Sequence, residues 1–397
     1  MKAPCRIAVV GGGPTGCLAG ALLARAGHEV ELFERRARTD GLETDGDRSI
    51  NLAIPESTIG ALRDLGVGDA LTSSAVPLLG RLTHARSGEI TSSPYADPAT
   101  SEFDAPYRGR SRSPLHPNEP PSSVRRDVLL RTLLDLAERE PLLTLRHRHR
   151  LVDADLEAGR LEFDAHGSPR SVVVDLVVGA DGATSTVRGI MAARPGFRAE
   201  VRRPGIRYRE LRIEAADAAI LAPRQFHLWP RAGFLLAALP NPGTTFTFTL
   251  FAGRSAFSVL DAVDEPGARI ELFEREFPDL AELVGHAALR NDVVASSSSH
   301  PLTSVRCRPW HLGLAVLAGD ACHALLPFSG RGTCEGLADV LELVRCIGDA
   351  GVKEPGAAFE EYERLRRPGV EAVADFTDAL APLLLSLLPE SGLSAAL

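Results

Sequence analysis

The spacing of apolar residues over the first 34 positions predicts a strand, a turn, a helix and a second strand. An apolar run at 6–10 is followed by a glycine-rich segment at 11–16, an Ala- and Leu-rich stretch that ends at Arg25, and a second strand-like run at 29–34. Short apolar runs are typical of buried parallel strands, and helical spacing between them is typical of a crossover helix. The amino-terminal part of the chain therefore predicts a βαβ unit.

The next part of the chain predicts a long loop, a helix and an edge strand. The segment 95–121 is rich in proline and serine and has no apolar periodicity, so it predicts a loop of a length that is usually functional or disordered. Residues 124–140 return to helical spacing. The alternation of arginine and histidine between two leucines at 145–151 predicts an edge strand with a solvated basic face.

The second half of the chain predicts a strand-rich region followed by a return to α/β structure. Short strand-like runs occur at 234–239 and in the alternating Thr and Phe residues of 245–251. A further apolar strand at 314–318 leads into a helix from about 333 to 347. The pattern predicts an α/β fold in which a discontinuous domain is interrupted by an inserted, mainly antiparallel β-sheet domain.

Composition narrows the class of protein. The 397 residues predict two to three domains, and the net charge of −8, without a one-signed basic face, argues against a nucleic-acid partner. The apolar run near the amino terminus is too short for a secretory signal, and no stretch reaches the ~20 apolar residues of a membrane span. We therefore expect a cytoplasmic protein. The six cysteines lack metal-site or paired spacing, so neither a metal site nor a disulfide framework is expected.

The glycine-rich turn carries the first chemical signal. Gly11, Gly13 and Gly16 form a Gly-x-Gly-x-x-Gly pattern between a predicted strand and a predicted helix. Such a turn brings the backbone close to a pyrophosphate at the N-terminus of a helix, where free N–H groups favour an anion. Glu34, at the end of the second strand, can accept hydrogen bonds from a ribose. The context predicts a Rossmann-like dinucleotide site.

Two later segments resemble the additional signatures of the FAD-dependent aromatic hydroxylases. They are 175–188, which contains Asp181, and 319–327, which contains Asp320. The resemblance implies bound FAD, with Asp320 on the ribityl chain and the turn at 330–333 beside the isoalloxazine ring. A helix that begins near Thr333 would stabilise negative charge on the reduced flavin.

The resemblance and the glycine turn together give a set of expected FAD contacts. No second Gly-x-Gly-x-x-Gly follows a predicted strand, so NADPH or NADH is expected to bind only transiently. The expected FAD contacts are Gly11, Gly13, Pro14, Thr15, Gly16, Glu34, Arg35, Arg48, Ala53, Arg126, Asp181, Asp320, Gly332 and Thr333.

Within that family, several segments are similar to the branch that hydroxylates kynurenine, notably 48–53, 76–84 and 227–231. The likeness implies that Arg81 and Tyr95 hold the carboxylate of an aromatic amino acid. An arginine fork suits this task because it can bind a carboxylate through two hydrogen bonds. The residues implied to form an apolar pocket over the flavin are Leu235, Ala237, Leu239, Phe251, Pro327 and Phe328.

The implied reaction is the hydroxylation of an aromatic ring by O2 and NAD(P)H through a flavin hydroperoxide. L-kynurenine or a similar aromatic amino acid is the leading substrate, and no catalytic residue beyond the flavin is assigned. Another tryptophan-derived or biosynthetic aromatic compound stays open as the substrate. A flavin halogenase or dehydrogenase, or a flavoprotein without catalytic activity, is a more distant alternative. His323 lies in the FAD signature, so a structural role is favoured over general-base catalysis.

The sequence also departs from the family at two places. The turn beside the flavin usually carries Gln and Met-Asn, where this chain has Arg331 and the pair at 333–334. The family's polar substrate contacts near the carboxyl terminus align with the apolar residues at 380–384. We expect the family's pocket to be open or rebuilt on one side, and we hypothesise that the segment 96–121 takes the place of a carboxyl-terminal lid.

These expectations divide the chain into three parts. The FAD-binding domain is expected to comprise 1–72, 124–190 and 303–350. The substrate domain is expected at 73–123 and 191–302, and a short tail of C-terminal helices at 351–397.

Overall fold

The computed structural model describes most of the chain. The described residues are 4–38, 51–95, 120–211, 221–231, 233–243, 245–253, 266–280, 299–350 and 355–386. The strands are β1 Arg6–Val10, β2 Glu29–Glu34, β3 Asn51–Pro55, β4 Val76–Pro77, β5 Gly80–His84, β6 Ile90–Pro94, β7 Pro121–Arg125, β8 Leu143–His147, β9 His149–Asp155, β10 Arg160–Ala165, β11 Ser168–Val173, β12 Leu176–Gly179, β13 Arg198–Arg202, β14 Ile206–Leu211, β15 Gln225–Arg231, β16 Phe234–Pro240, β17 Phe246–Gly253, β18 His300–Pro301, β19 Ser304–Arg308, β20 His311–Leu312 and β21 Ala315–Leu317. The helices are α1 Pro14–Arg25, α2 Glu56–Leu62, α3 Gly68–Ser74, α4 Arg126–Glu138, α5 Thr186–Ala192, α6 Pro266–Glu276, α7 Asp320–His323, α8 Gly332–Ala350 and α9 Pro355–Ser386.

A six-stranded sheet forms the first layer, in the order β20-β21-β12-β1-β2-β8. All neighbours pair in parallel except β20, which is antiparallel at one edge. Helix α1 connects β1 to β2, so the predicted βαβ unit is confirmed. Nearly every residue of α1 is buried because the helix packs against β2 and between α4 and α8. The strands, with these helices, enclose the largest apolar core of the described residues.

A seven-stranded sheet forms the second large layer, in the order β18-β14-β17-β16-β15-β5-β6. Its pairs are antiparallel except β15 with β5. Three smaller sheets accompany it, with the orders β3-β7-β4, β11-β10-β9 and β13-β19. This mixture of a parallel sheet with helices and a large antiparallel sheet confirms the predicted fold class.

Two local predictions differ from the structure. The helix expected at 124–140 begins only at Arg126, because 121–125 pairs with β3 and β4 as strand β7. The edge strand expected at 145–151 is two strands in different sheets. Arg148 separates them with a φ of 56°, a left-handed conformation that ends the ladder of β8 before β9 begins.

The C-terminal part of the described chain is one helix of 32 residues, α9. Ion pairs hold it against β19, since Arg306 lies 2.5 Å from Asp375 and 2.7 Å from Asp378. Arg308 pairs with Glu371, which lies one turn before Asp375 on the same helix. None of the helices that the structure describes has the length and apolarity to cross a membrane. The expected lid at 96–121 lies almost wholly outside the described residues.

Candidate active site

The glycine turn between β1 and α1 is packed too tightly for any other residue at two of its positions. A Cβ on Gly11, whose φ is 109°, would stand 2.4 Å from the carbonyl oxygen of Ala180. A Cβ on Gly16 would stand 1.8 Å from the carbonyl oxygen of Gly11. A Cβ on Gly13 would meet nothing within 4 Å, so this backbone faces open space. The turn therefore offers an accessible backbone at the N-terminus of α1, as an anion site requires.

Glu34 holds the turn from the neighbouring strand. Its Oε2 atom accepts a hydrogen bond from the N–H of Gly12 at 2.8 Å, and its Oε1 atom accepts one from the N–H of Arg36 at 2.9 Å. Each carboxylate oxygen can accept more than one hydrogen bond, so the group can also accept from a hydroxyl. Its predicted role toward a ribose stays a prediction.

The three nucleotide-binding motifs meet in space. Thr15 packs between two glycines, since its Oγ1 atom lies 2.7 Å from the position of a Cβ on Gly319 and equally close to one on Gly336. Arg188 joins the two later signatures, because its guanidinium donates to the carbonyl oxygens of Ala321 and Ala183 at 2.8 and 2.6 Å. The fold thus brings together segments more than 300 residues apart.

The two signature aspartates have different surroundings. The Oδ2 atom of Asp181 accepts from the N–H groups of Thr186 and Val187 at 2.6 and 3.2 Å and so caps helix α5. Its Oδ1 atom is buried with no hydrogen-bond partner within the described part of the chain. The side chain of Asp320 is reached by solvent, yet many protein atoms surround its carboxylate. The resulting desolvation raises the pKa of Asp320, as expected for a group that lines a cleft. Arg126 faces Asp320 closely enough to oppose that shift.

The other expected FAD contacts lie beside the turn at 330–333, just after β2, at the starts of two helices or outside the described residues. Ala53 is next to the turn at 330–333, which we call the flavin turn after its predicted place beside the isoalloxazine ring. A Cβ on Gly330 would stand 3.5 Å from the Cβ of Ala53. Arg35 is exposed just after β2, and Arg48 lies outside the described residues. The remaining expected contacts, which begin helices α1 and α8, are Pro14, Thr15, Gly332 and Thr333.

These residues fit FAD. The turn at 11–16 offers backbone to a pyrophosphate, and the orphaned oxygen of Asp181 is available to a donor. Asp320 presents a solvent-accessible carboxylate at the carboxyl end of β21, the edge at which α/β sheets bind nucleotides.

Arg81 and Tyr95 are in contact. The guanidinium carbon of Arg81, on β5, lies over the ring of Tyr95 at 5.1 Å from its centre. Tyr95 directly follows β6, the strand that pairs with β5. Burial raises the pKa of Tyr95 to about 12, although the Arg81 charge opposes this, so the phenol stays protonated. The pair can present a guanidinium and a hydroxyl donor to one anionic group.

Four of the six predicted apolar pocket residues share one face of the seven-stranded sheet, namely Leu235, Ala237, Leu239 and Phe251. Leu235, on β16, lies opposite Phe251 on β17, and Leu239 lies opposite Thr247. Residues two apart on a strand face the same side, so Ala237 lies between Leu235 and Leu239. The register of β15 with β16 puts Phe226 next to Leu239, and Phe226 in turn pairs with Arg81 on β5. Most side chains of this face are half-buried, whereas those of the opposite face are buried.

The apolar face reaches the flavin turn through two phenylalanines. The ring centres of Phe251 and Phe328 lie 6.0 Å apart in a T-shaped arrangement. Pro327 and Phe328 form a short 3-10 turn immediately before Gly330. Both rings pack against a buried apolar cluster that includes Ala381 of α9. Ala381, near the end of α9, therefore adds an apolar side chain beside Phe251 and Phe328.

The opposite face of the sheet holds a buried polar cluster that the sequence did not reveal as a unit. His84 contacts His227 at 2.9 Å between ring nitrogens and stacks on Trp229 at 4.4 Å. Asp279 accepts hydrogen bonds from Trp229 at 2.6 Å and from Arg231 at 2.9 Å. Through these contacts Trp229 and Arg231 join β15 to the segment that follows α6.

A second buried network was missed by the sequence analysis. His323 lies 2.5 Å from Asp339, and Asp339 accepts from Arg366 at 2.9 Å. Arg366 also donates to Glu335 at 2.5 Å, and Glu335 lies 3.5 Å from Arg331. Residues 331, 335 and 339 are four apart, a spacing that puts side chains on one face of a helix. That spacing is the feature of the sequence that could have revealed the network. The Nε2 atom of His323 is held by Asp339, whereas its Nδ1 atom is buried with no hydrogen-bond partner among the described residues.

Comparisons with known proteins agree with this geometry. The family described as FAD binding domain matches residues 4–377. Kynurenine 3-monooxygenase of Myxococcus xanthus is 33% identical over 377 residues, which cover 93% of this chain and 76% of that protein. Kynurenine 3-monooxygenase of Stenotrophomonas maltophilia is 35% identical over 379 residues, with coverage of 92% and 76%.

Solved structures share the fold. A 2-methyl-3-hydroxypyridine-5-carboxylic acid oxygenase has a TM-score of 0.74 at 19% identity, with 97% of this chain and 93% of that chain covered. PqsL of P. aeruginosa, in complex with 2-aminobenzoylacetate, has a TM-score of 0.72 at 18% identity, with coverage of 96% and 97%.

The family match and the kynurenine 3-monooxygenase relatives, on a fold shared with known oxygenases, define an FAD-dependent monooxygenase. Within that class, the chain belongs to the FAD-dependent aromatic hydroxylase family as a kynurenine 3-monooxygenase-like member. FAD is its cofactor and NAD(P)H its co-substrate.

Proposed function

We propose that the enzyme hydroxylates L-kynurenine, or an aromatic amino acid close to it. The contact between Arg81 and Tyr95, at one end of an apolar sheet face that reaches the flavin turn, carries this proposal. A substrate with a carboxylate at one end and an aromatic ring at the other matches that arrangement. The relatives named kynurenine 3-monooxygenase support the same choice.

The residues of this chain bind and orient the substrate. Arg81 would hold the carboxylate through two hydrogen bonds, and the protonated phenol of Tyr95 would donate a third. The ring would then lie along Leu235, Ala237 and Leu239 toward Phe328. Fixing the ring in one orientation lowers the activation free energy, because reacting atoms that are already held at contact distance lose little further entropy on the way to the transition state.

FAD supplies the redox chemistry, namely reduction by NAD(P)H and activation of O2. The residues proposed to hold it are the turn at 11–16, Glu34, Ala53, Arg126, Asp181 and Asp320. Phe251 and Phe328 would help to exclude water from the same space, as oxygen chemistry on FAD requires. The FAD and substrate domain boundaries given above remain part of the proposal.

The test is NAD(P)H consumption by the purified yellow protein in air, with and without L-kynurenine, followed by mass analysis of the product. Faster oxidation with a product heavier by one oxygen atom supports the proposal. Bound FAD without stimulation and without a new product contradicts the choice of substrate. Omission of each nucleotide in turn determines whether NADH or NADPH is the reductant.

A second substrate class is favoured by one observation. Ala381 of α9 is buried against Ile206, Leu302 and Leu326, so the wall near the end of that helix is apolar. A tryptophan-derived or biosynthetic aromatic acid that lacks a polar group on this side would fit there. A screen of aromatic acids with and without an amino group distinguishes the two classes.

A further inference from the structure

Arg331 occupies the flavin turn as a buried charge. It stands between Gly330 and Gly332, where the family usually carries a neutral glutamine, and its side chain is 9% exposed. The guanidinium folds back along the first turn of α8, 3.5 Å from the Oε1 atom of Glu335. A charge buried at this depth interacts strongly with any other charge nearby, because little water screens it.

Carboxylates in the surrounding network are shared among cations. Glu335 is held more closely by Arg366, at 2.5 Å, than by Arg331. Asp339 is shared in the same way between Arg366 and His323. Burial opposes protonation of His323, but the Asp339 carboxylate outweighs it and raises the pKa of the imidazole. Glu335 is thus shared between two arginines, so it neutralises Arg331 only in part.

The backbone adds to this charge. The first helical hydrogen bond of α8 runs from the N–H of Glu335 to the carbonyl oxygen of Arg331, at 2.9 Å. The N–H groups of 332–334 lie before that bond and form the positive end of the helix dipole. Arg331 stands at the same end, so its charge and the dipole have the same sign.

The turn lies between the two sets of predicted site residues. On one side, Gly330 approaches Ala53, which is an expected FAD contact. On the other side, Phe328 contacts Phe251 on the apolar face proposed for the substrate. A group bound between these residues is next to the turn, and the resemblance assigns that place to the isoalloxazine ring.

We propose that Arg331 stabilises the reduced flavin and raises the reduction potential of the bound FAD. NAD(P)H transfers a hydride to the flavin and leaves as NAD(P)⁺, and the two electrons place a negative charge on the pyrimidine edge of the ring. The nearby cation lowers the energy of that anion and not of the neutral oxidised ring. The inference rests on the FAD binding in the proposed function and is independent of the aromatic substrate.

The test measures the two-electron reduction of FAD against a reference dye in the purified holoenzyme, without aromatic substrate. We expect Arg331→Gln to lower the equilibrium constant for reduction about tenfold, which is about 30 mV for a two-electron couple. Arg331→Lys keeps the charge and should stay near the parent. The absorbance of the reduced flavin should also show that its N1–H ionises at higher pH in Arg331→Gln.

Arg345→Gln is the matched control, because it removes the same charge from an exposed position on α8. A parent-like potential in Arg331→Gln with FAD still bound would overturn the proposal, as would an equal shift in the control. If Arg331→Gln does not retain FAD, Glu335→Gln decides the question. Removing that carboxylate leaves Arg331 less neutralised, so a higher potential supports the proposal and an unchanged or lower one overturns it. Each of these readouts is unaffected if kynurenine is not the substrate.

Discussion

The hydroxyl oxygen of Thr15 packs against Gly319, so closely that a Cβ on Gly319 would stand 2.7 Å from it. Gly319 also has a φ of 60° and a ψ of −144°, a conformation that costs other residues about 1–3 kcal/mol. The glycine turn at 11–16 and the segment 319–327 are therefore held in close contact at Gly319. Nothing larger fits without moving α1 or the start of α7.

We expect Gly319→Ala to lower the stability and the FAD content of the purified protein together. The added methyl group must displace Thr15, which lies in the first turn of α1, the helix proposed to face the pyrophosphate of FAD. The FAD-to-protein absorbance ratio and the melting temperature measure the two effects. Gly60→Ala in α2 is the control, because a Cβ there meets nothing within 4 Å and alanine is favoured in a helix. Full FAD content in Gly319→Ala would show that this lock is unimportant.

Arg81→Ala should raise the KM for the carboxylate substrate about 10- to 100-fold, the range expected for lost hydrogen bonds between charged groups. FAD content should not change, because Arg81 lies on β5 in the seven-stranded sheet. Steady-state kinetics with L-kynurenine measures the effect. Arg86→Ala is the control, since Arg86 is exposed in the turn that follows the same strand. An unchanged KM in Arg81→Ala would place the carboxylate elsewhere.

Asp339→Asn should destabilise the protein by about 3–5 kcal/mol, because it leaves Arg366 and His323 buried with less compensating charge. Urea unfolding followed by far-UV circular dichroism measures the loss. Asp349→Asn on the same helix removes an exposed ion pair with Arg345 and should change stability by less than about 1 kcal/mol. Equal effects of the two substitutions would mean that burial of the network adds no stability.

The sequence predicted the parts of the fold that depend on local periodicity and short motifs. The βαβ unit and its glycine turn follow from spacing, because glycines and apolar runs have few other uses in that order, whereas the two later FAD signatures were recognised by their resemblance to a known family. The pairing of His84 with His227 was not predictable, because these residues meet only through the parallel pairing of β5 with β15. The break at Arg148 was also missed, since no glycine or proline marks it.

Acid should destabilise the seven-stranded sheet through His84 and His227. Burial lowers the pKa of both, and the neighbouring His227 helps to lower the pKa of His84 to about 4. Unfolded histidine titrates near 6.5, so between pH 6.5 and 4 the unfolded chain binds protons that the folded chain does not. The free energy of unfolding should therefore fall across this window, by about 2–3 kcal/mol from His84.

Urea unfolding at pH 7.0 and pH 5.0 measures this loss. His84→Phe keeps a ring against Trp229 but removes the titrating group, so its stability should depend less steeply on pH even if it is lower at pH 7. His166→Asn is the control, because His166 is exposed at a position with a φ of 56° that asparagine tolerates. A pH dependence in His84→Phe as steep as that of the parent would mean that other groups cause the acid sensitivity.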